Sequence, residues 1–249
     1  MTSWLGRRLV ELDEVESTND EAARLAADGA EHGTVVVARA QTSGRGRLGR
    51  SWYSPPGESL YLSCVLRPPL APEALPPVTL AAGIAVAEAA AGRAPRARVQ
   101  WPNDVVVDGR KLAGVLSEVT TRSGKVESAV VGIGLNVNVD RFPPDLGRPA
   151  TSLRLETGRL HALDEVRAEL LDRLEIWLDD FFREGMPAVA RGWRVWGGMA
   201  GARVRVDLGA GRELVGTAGD LASDGGLEVV DDAGRLTVVR AGDVTRVAL

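Results

Sequence analysis

The sequence predicts an α+β protein: a mixed β-sheet with flanking helices, followed by a small C-terminal β-barrel. Two observations carry this. Segments of helical and of strand character alternate up to about Gly201, and five short β-rich runs then follow one another across Gly/Asp turns with no helix between them. The change of character places a domain boundary near Met199, dividing the chain into residues 1–199 and 200–249.

"ESTNDEAARLAADG" opens with Ser17 or Thr18 as a cap, with Glu21 completing a capping box with Thr18, and Gly29 stops the helix. "TVVVARA" is a short buried strand and "LYLSCVLRP" a second, closed by Pro68 and Pro69. "PPVTLAAGIAVAEAAAG" is apolar almost all round and reads as a buried helix. "ARVQW" and "VVV" are strands; the latter turns at Asp108-Gly109 into "KLAGVLSEVTT", and "TRSGK" turns that strand into "VESAVVGIGLNV". "DEVRAELLDRLEIWLDDFFREG" is an amphipathic helix ending at Gly185. The barrel strands are "ARVRVDL", "RELVGTAGDLA", "GLEVV", "RLTVV" and "DVTRVAL".

The 249 residues, 45% hydrophobic and 26% charged, have the composition of an ordinary globular protein. No apolar run of roughly 18 residues stands out as a membrane helix, and the N-terminus lacks the apolar core of a signal peptide, so a cytoplasmic location is expected. Cys64 is the single cysteine, in an apolar segment, and reads as a buried, inert thiol. His32 and His161 form no Cys/His cluster, so no tightly bound metal is expected.

A net charge of −4 argues against a general nucleic-acid binder. From His32 to Gly57, however, Arg39, Arg45, Arg47 and Arg50 occur with no Asp or Glu, a pattern for one small anion. Of the 30 basic residues only Lys111 and Lys125 are lysines, which singles out Lys111.

Gly44, Gly46 and Gly49 in "QTSGRGRLGRSW" satisfy G-x-G-x-x-G. A dinucleotide loop needs a helix directly after it, and Pro55-Pro56-Gly57 forbids one. A kinase loop needs a later valine and a V-A-I-K strand, and a Walker loop needs Gly-Lys-Ser/Thr; neither is present. What remains is chemistry: glycines let backbone N–H groups approach a ligand, and arginine forks match phosphate or carboxylate oxygens. The other reading is a solvated turn with surface arginines.

Three further segments bear on that choice. "WPND", Trp101 to Asp104, breaks a strand and presents an amide and a carboxylate; "RKLAGVL" starts a strand with Lys111 and places Gly114 three residues on; "GIGLNVN" ends a strand in Gly134 and Asn136. Singly, these also read as a turn, a solvated strand edge and a strand terminator.

In combination, "STN", "GRGRLGRSW", "WPND", "KLAGVL" and "GIGLNVN", in this order, resemble the motifs of biotin protein ligases, over Val15 to Leu153 with the small barrel in its expected place. Lipoate ligases and octanoyltransferases share that family's fold but not this glycine-arginine loop, and a lipoate- or other acyl-adenylate ligase is the alternative. The resemblance implies a catalytic domain like class II aminoacyl-tRNA synthetases and an SH3-like barrel. It implies a two-step reaction: biotin and MgATP give biotinyl-AMP and pyrophosphate, and a lysine of a biotin carboxyl carrier protein then takes the biotin.

By the same resemblance, Ser17, Thr18, Asn19 and Gln41 would bind the biotin ureido ring, with Gly44, Arg45 and Gly114 along the tail and carboxylate. Lys111 would bridge carboxylate and α-phosphate, Arg47 would hold phosphate, Trp52 would cover the adenine, and Asn103 and Asn136 would order the nucleotide. Asp104 is the candidate for receiving the acceptor lysine's proton or orienting its amine. No membrane partner is implied; the Mg²⁺ ligands and the choice between monomer and homodimer stay open. Two departures stand out: Gln100 precedes "WPND" where many members have a basic residue, and the "STN" helix begins within twenty residues of the start. No N-terminal helix-turn-helix, and hence no repressor function, is therefore expected. The glycine-arginine loop and Asp140 to Ala150, polar and poor in core anchors, are expected to close over the adenylate.

Overall fold

The computed structural model describes residues 3–209 and 211–247. A seven-stranded sheet is built from β1 (Leu9–Val15), β2 (Val35–Gln41), β3 (Ser59–Leu66), β4 (Ala97–Gln100), β5 (Asp104–Val107), β6 (Arg110–Arg122) and β7 (Lys125–Asn136), in the order β1-β2-β3-β7-β6-β5-β4. β1 and β2 are parallel and every other pairing is antiparallel, so the sheet is mixed as the sequence predicts.

Helix α2 (Val78–Ala90) buries eleven of its thirteen residues. It lies on the sheet and is covered by α4 (Leu163–Glu184) and α5 (Met186–Trp196), which explains why it has no polar stripe. The stretch Pro72–Ala90 is, by length and composition alone, long and apolar enough to cross a membrane. That corrects the sequence reading, which found no such run; here the segment is mostly buried within the protein. Helix α1 (Thr18–Ala27) packs on the other face through Ala22 and Ala26 against Val36, Val65 and Val130.

The expected capping box on α1 does not form. Ser17 is the N-cap but its side chain accepts no capping hydrogen bond, and Glu21 instead receives two from Arg24. The Thr18 hydroxyl is engaged elsewhere, on Gln41. Three elements went unread in the sequence: β1, whose charged residues mask an edge strand, the short helix α3 (Leu153–Thr157), and α5.

The C-terminal sheet comprises β8 (Arg203–Asp207), β9 (Glu213–Leu221), β10 (Leu227–Val230), β11 (Leu236–Val239) and β12 (Asp243–Arg246), all antiparallel in the order β11-β10-β9-β8-β12. Its inner residues Val204, Val206, Leu227, Val229 and Val244 join the main core. Polar ties reach from the large sheet to the C-terminal part: Gln100 Nε2 donates to Val244 O (2.9 Å) and Trp101 Nε1 to Gly225 O (3.0 Å). Cys64 is fully buried, and burial pushes its thiol up to about 12.

Glu175 of α4 is buried, and its carboxylate accepts from the backbone N–H groups of Ser3, Trp4 and Leu5 at 2.5, 2.9 and 2.7 Å. Burial opposes its charge, but these donors win and hold its pKa below 4.5. A lowered carboxylate pKa contributes stability that is present above the ordinary carboxylate range and is lost as pH falls through the lowered value. Glu175→Gln, which turns an NH₂ toward N–H donors, should cost about 1.5–3 kcal/mol in denaturant melts at pH 7. The difference from wild type should shrink in acid; equal melts at pH 7 would refute the clamp.

Candidate functional site

A cavity of about 820 Å³ opens over β6 and β7 and is closed on one side by the glycine-arginine loop and on another by the rim of the C-terminal sheet. One end is a buried polar cluster. Thr18 N–H and hydroxyl both donate to Gln41 Oε1 (2.8 and 3.1 Å), and Gln41 Nε2 donates to Ser54 Oγ (3.0 Å). Ser63 Oγ lies 2.8 Å from Thr18 Oγ1 and 2.7 Å from Asn19 Oδ1, while Asn19 Nδ2 donates to Glu118 Oε2 (2.7 Å). The start of α1 thus meets β2, β3 and β6 at a single point.

Two glycines of β7 make room for this floor. A Cβ on Gly132 would stand 1.9 Å from Asn19 Oδ1, and one on Gly134 would stand 2.4 Å from the Trp52 indole. Gly114, expected to leave room for a ligand, instead has Trp52 and Lys111 above it, within about 3.1 Å of a built Cβ. Trp52 therefore lies on the sheet floor, and its indole Nε1 is buried with no hydrogen-bond partner among the described residues.

The other end is cationic. Lys111, the second residue of β6, is fixed where Ala150 pairs with it: Lys111 N–H donates to Pro149 O and Thr151 N–H to Lys111 O, both at 2.9 Å. Its ammonium is 2.6 Å from Asp104 Oδ1 and 4.9 Å from the centre of the Trp52 ring. Burial lowers the Lys111 pKa, with Asp104 opposing and Arg148 reinforcing the shift. Arg148 Nη1 takes the other Asp104 oxygen at 2.6 Å. Both oxygens of Asp104 thus serve cations of this chain, so its carboxylate positions Lys111 before it is free to accept a proton.

Asn103 and Asn136 act largely on backbone. Asn103 Nδ2 donates to Val115 O (2.8 Å) while its Oδ1 accepts from Arg47 Nη1 (3.3 Å); Asn136 Nδ2 donates to Lys111 O (3.3 Å) and Thr151 O (3.0 Å). They brace the ends of the strands that carry Lys111. Arg45 lines the cavity with its guanidinium ion-paired to Asp20 and Glu118.

The loop itself is a small hairpin: Gly46 N–H donates to Arg50 O (2.7 Å) and Trp52 N–H to Gly44 O (2.8 Å). The tight turn at Gly44 is one a side chain would block, with Ser54 Oγ 2.7 Å from a built Cβ. The expectation that this loop and Asp140 to Ala150 lack anchors is corrected by the Trp52 indole, the Lys111–Ala150 bridge and an edge contact between Tyr53 and Phe142, with ring centres 6.3 Å apart. Ser63, Glu118, Arg148 and Asp243 were missed by the sequence reading, since common surface residues carry no local signal of what strand register brings beside them.

The sequence profile of the biotin/lipoate A/B protein ligase family matches residues 12–136. The chain belongs to this family. The biotin–[acetyl-CoA-carboxylase] ligase of Mycobacterium tuberculosis is 38% identical over 246 residues, covering 96% of this chain and 88% of that protein. The bifunctional ligase/repressor BirA of Bacillus spizizenii is 35% identical over 209 residues, covering 82% of this chain; the match spans only 64% of that relative's length. Among solved structures, the Aquifex aeolicus biotin protein ligase in complex with biotin and ATP superposes with a TM-score of 0.82 at 30% identity, covering 97% of this chain and all of that one. The mixed sheet, its flanking helices and the C-terminal antiparallel sheet are those of a biotin/lipoate ligase fold, and the matched segment runs from β1 to the end of β7, carrying most of the cavity floor.

Proposed function

We propose that the chain is a biotin protein ligase that joins biotin to AMP and passes it to a lysine of a biotin carboxyl carrier protein of a carboxylase. The observation that carries the reading is one cavity with a buried amide and hydroxyl cluster at one end and a partly buried lysine at the other. A ureido ring offers both donors and acceptors to Ser17, Thr18, Asn19 and Gln41, whereas the apolar dithiolane of lipoate would leave those buried groups without exchange partners. The orphaned Trp52 Nε1 likewise suits a ligand oxygen.

In the first step a biotin carboxylate oxygen attacks the α-phosphorus of ATP and the bond to pyrophosphate breaks. Two anions must approach, and Lys111 supplies fixed positive charge between them in a site shielded from water. Arg47 serves the phosphate, and Trp52, Asn103 and Asn136 frame the nucleotide. Arg45, ion-paired with Asp20 and Glu118, and Gly114, covered by Trp52 and Lys111, would reach the tail only once those contacts shift, and Gly44 shapes the loop instead of lining the cavity. In the second step the acceptor amine attacks the acyl carbon, AMP leaves, and Asp104, once freed from a cation, takes the amine proton or orients the amine. ATP brings its Mg²⁺ with it; a carboxylate of the site and the phosphates suit that ion's preference for few protein ligands. The division at residues 199 and 200 and a cytoplasmic setting belong to the same reading.

The test is to incubate the protein with biotin, MgATP and a carrier domain. Intact mass should show one added biotinyl group on the carrier, dependent on both substrates. Addition of lipoate in preference to biotin would overturn the choice of acid, and no addition of either would overturn the reaction.

A further inference from the structure

Four of the cations lining the cavity fall into two pairs, and each pair meets one carboxylate, while Arg45 turns to Asp20 and Glu118 and Arg246 to the Gly198 carbonyl. Lys111 and Arg148 share Asp104. Arg50 pairs with Asp243 Oδ2, and Arg47 Nη1 lies 3.9 Å from Asp243 Oδ1. Asp104 and Asp243 are the two acidic residues among those lining the cavity.

The two carboxylates differ in how readily they can let go. The Asp104 side chain is 10% exposed, inside the large sheet, so moving its charge means opening the core. The Asp243 side chain is 31% exposed, on the first residue of the edge strand β12, and rehydrates in place. Its own sheet gains little from that charge. Asp243 stands in register opposite Asp207 on β8, and like charges directly across an antiparallel pair repel. The backbone is nevertheless held at the cavity rim: Gln100 Nε2 binds the carbonyl of the next residue, Val244, and the preceding Gly242 takes φ +144° where a built Cβ would stand 2.6 Å from Asp207 O. The hydrogen bond that Arg50 donates to Asp243 is also the largest influence raising the Arg50 pKa. A carboxylate unfavourable for its sheet, fixed at the mouth of an anion site and covered by two guanidiniums, has the geometry of a substitute anion.

We propose that Asp243 stands in for phosphate: it holds Arg50 and Arg47 while the nucleotide is absent, and the phosphate oxygens of ATP displace it, so the C-terminal sheet sets nucleotide affinity. This rests on the cavity being an ATP site. It makes Gln100 part of the nucleotide machinery through Val244 rather than by direct contact. It also fixes the sign of the effect. Removing the charge frees two guanidiniums and withdraws an anion from in front of the triphosphate, so binding tightens, whereas loss of a positioning tie would weaken it.

The experiment compares wild type, Asp243→Asn, Asp243→Glu and Asp207→Asn by calorimetric titration with MgATP and with inorganic pyrophosphate, alongside the KM for ATP in biotin-dependent pyrophosphate exchange. Releasing a half-exposed ion pair should tighten both ligands by roughly two- to fivefold in Asp243→Asn and lower the KM for ATP likewise. The gain should fade at high salt. Asp243→Glu, which keeps an anion, should return toward wild type, and Asp207→Asn, which removes the opposing charge but not the clamp, should leave both affinities alone. Unchanged or weaker binding by a folded Asp243→Asn overturns the proposal. If that variant does not fold, wild-type-like binding in Asp243→Glu together with tightening in Asp207→Asn overturns it, since repulsion within the sheet would then be the controlling charge. Absence of biotin-dependent exchange in wild type would instead overturn the ligase reading, while the direct titrations still decide the clamp.

Discussion

Lys111→Ala is expected to lower biotin-dependent ATP–pyrophosphate exchange by on the order of a hundredfold to a thousandfold or more, the range found when a preorganised charge-stabilising donor is removed. The ammonium sits against Asp104 at 2.6 Å and over the Trp52 ring, where its place is fixed before substrate arrives. The fold should survive, because Arg148 still holds the Asp104 carboxylate and limits the loss of stability to about 1–3 kcal/mol. Lys111→Arg should also be badly impaired, since a planar fork cannot occupy the place of a compact charge above Gly114. Burial lowers the lysine pKa, and the working form is the charged one, so exchange should decline as pH rises through a value below the ordinary 10.5. Residual activity in Lys111→Arg should lack that alkaline limb, because arginine stays charged. Near-normal exchange by Lys111→Ala would remove the lysine from the chemistry.

The sequence made the cationic end and the polar end of the site legible for the same reason: their residues are rare in this chain. Lys111 is one of two lysines, and Asn19, Gln41, Asn103 and Asn136 come from the few amides, so their clustering near glycines stood out. Arg148, Glu118 and Asp243 belong to types that crowd the surface, and only pairing distant in sequence makes them special. Asp243 reaches Arg50 across 193 residues, and Glu118 reaches Asn19 across 99. The strong hairpin turn at Asp108-Gly109 and the buried, all-apolar α2 were readable locally. β1 was not, because an edge strand whose apolar residues are interrupted by Glu11, Asp13 and Glu14 resembles a polar linker. The capping box failed for an instructive reason. Its local pattern was present, but Thr18 does more in the buried network with Gln41 and Ser63 than at a helix end. Local rules give way where a site needs the same atoms.

Gly132→Ala should strike the opposite end of the cavity. The methyl group would meet Asn19 Oδ1 at 1.9 Å and Cγ at 2.8 Å, contacts that no real Cβ makes. Asn19 cannot swing aside freely, since Ser63 holds its oxygen and Glu118 its nitrogen at 2.7 Å each. The side chain must therefore leave the network, which uncouples Ser63 and Thr18 and spoils the polar end where the ureido ring would bind. Losing two or so buried hydrogen bonds should raise the KM for biotin by on the order of ten- to a hundredfold. The KM for ATP should change little, because Lys111, Arg47, Arg50 and Arg148 are tied to Asp104 and Asp243 and make no contact with the Asn19 cluster. Overpacking should also cost about 1–3 kcal/mol of stability. Combining Gly132→Ala with Asn19→Ala should return much of the stability by removing the obstructing side chain, yet leave biotin binding poor, since the asparagine is then absent. That non-additivity separates a steric cause from general damage. Gly92→Ala, with no atom within 4 Å of a built Cβ, is the matched control and should leave both KM values unchanged. If Gly132→Ala bound biotin as wild type does, or if its KM for ATP rose as much as its KM for biotin, Asn19 and its partners would not be the part of the cavity that recognises the acid.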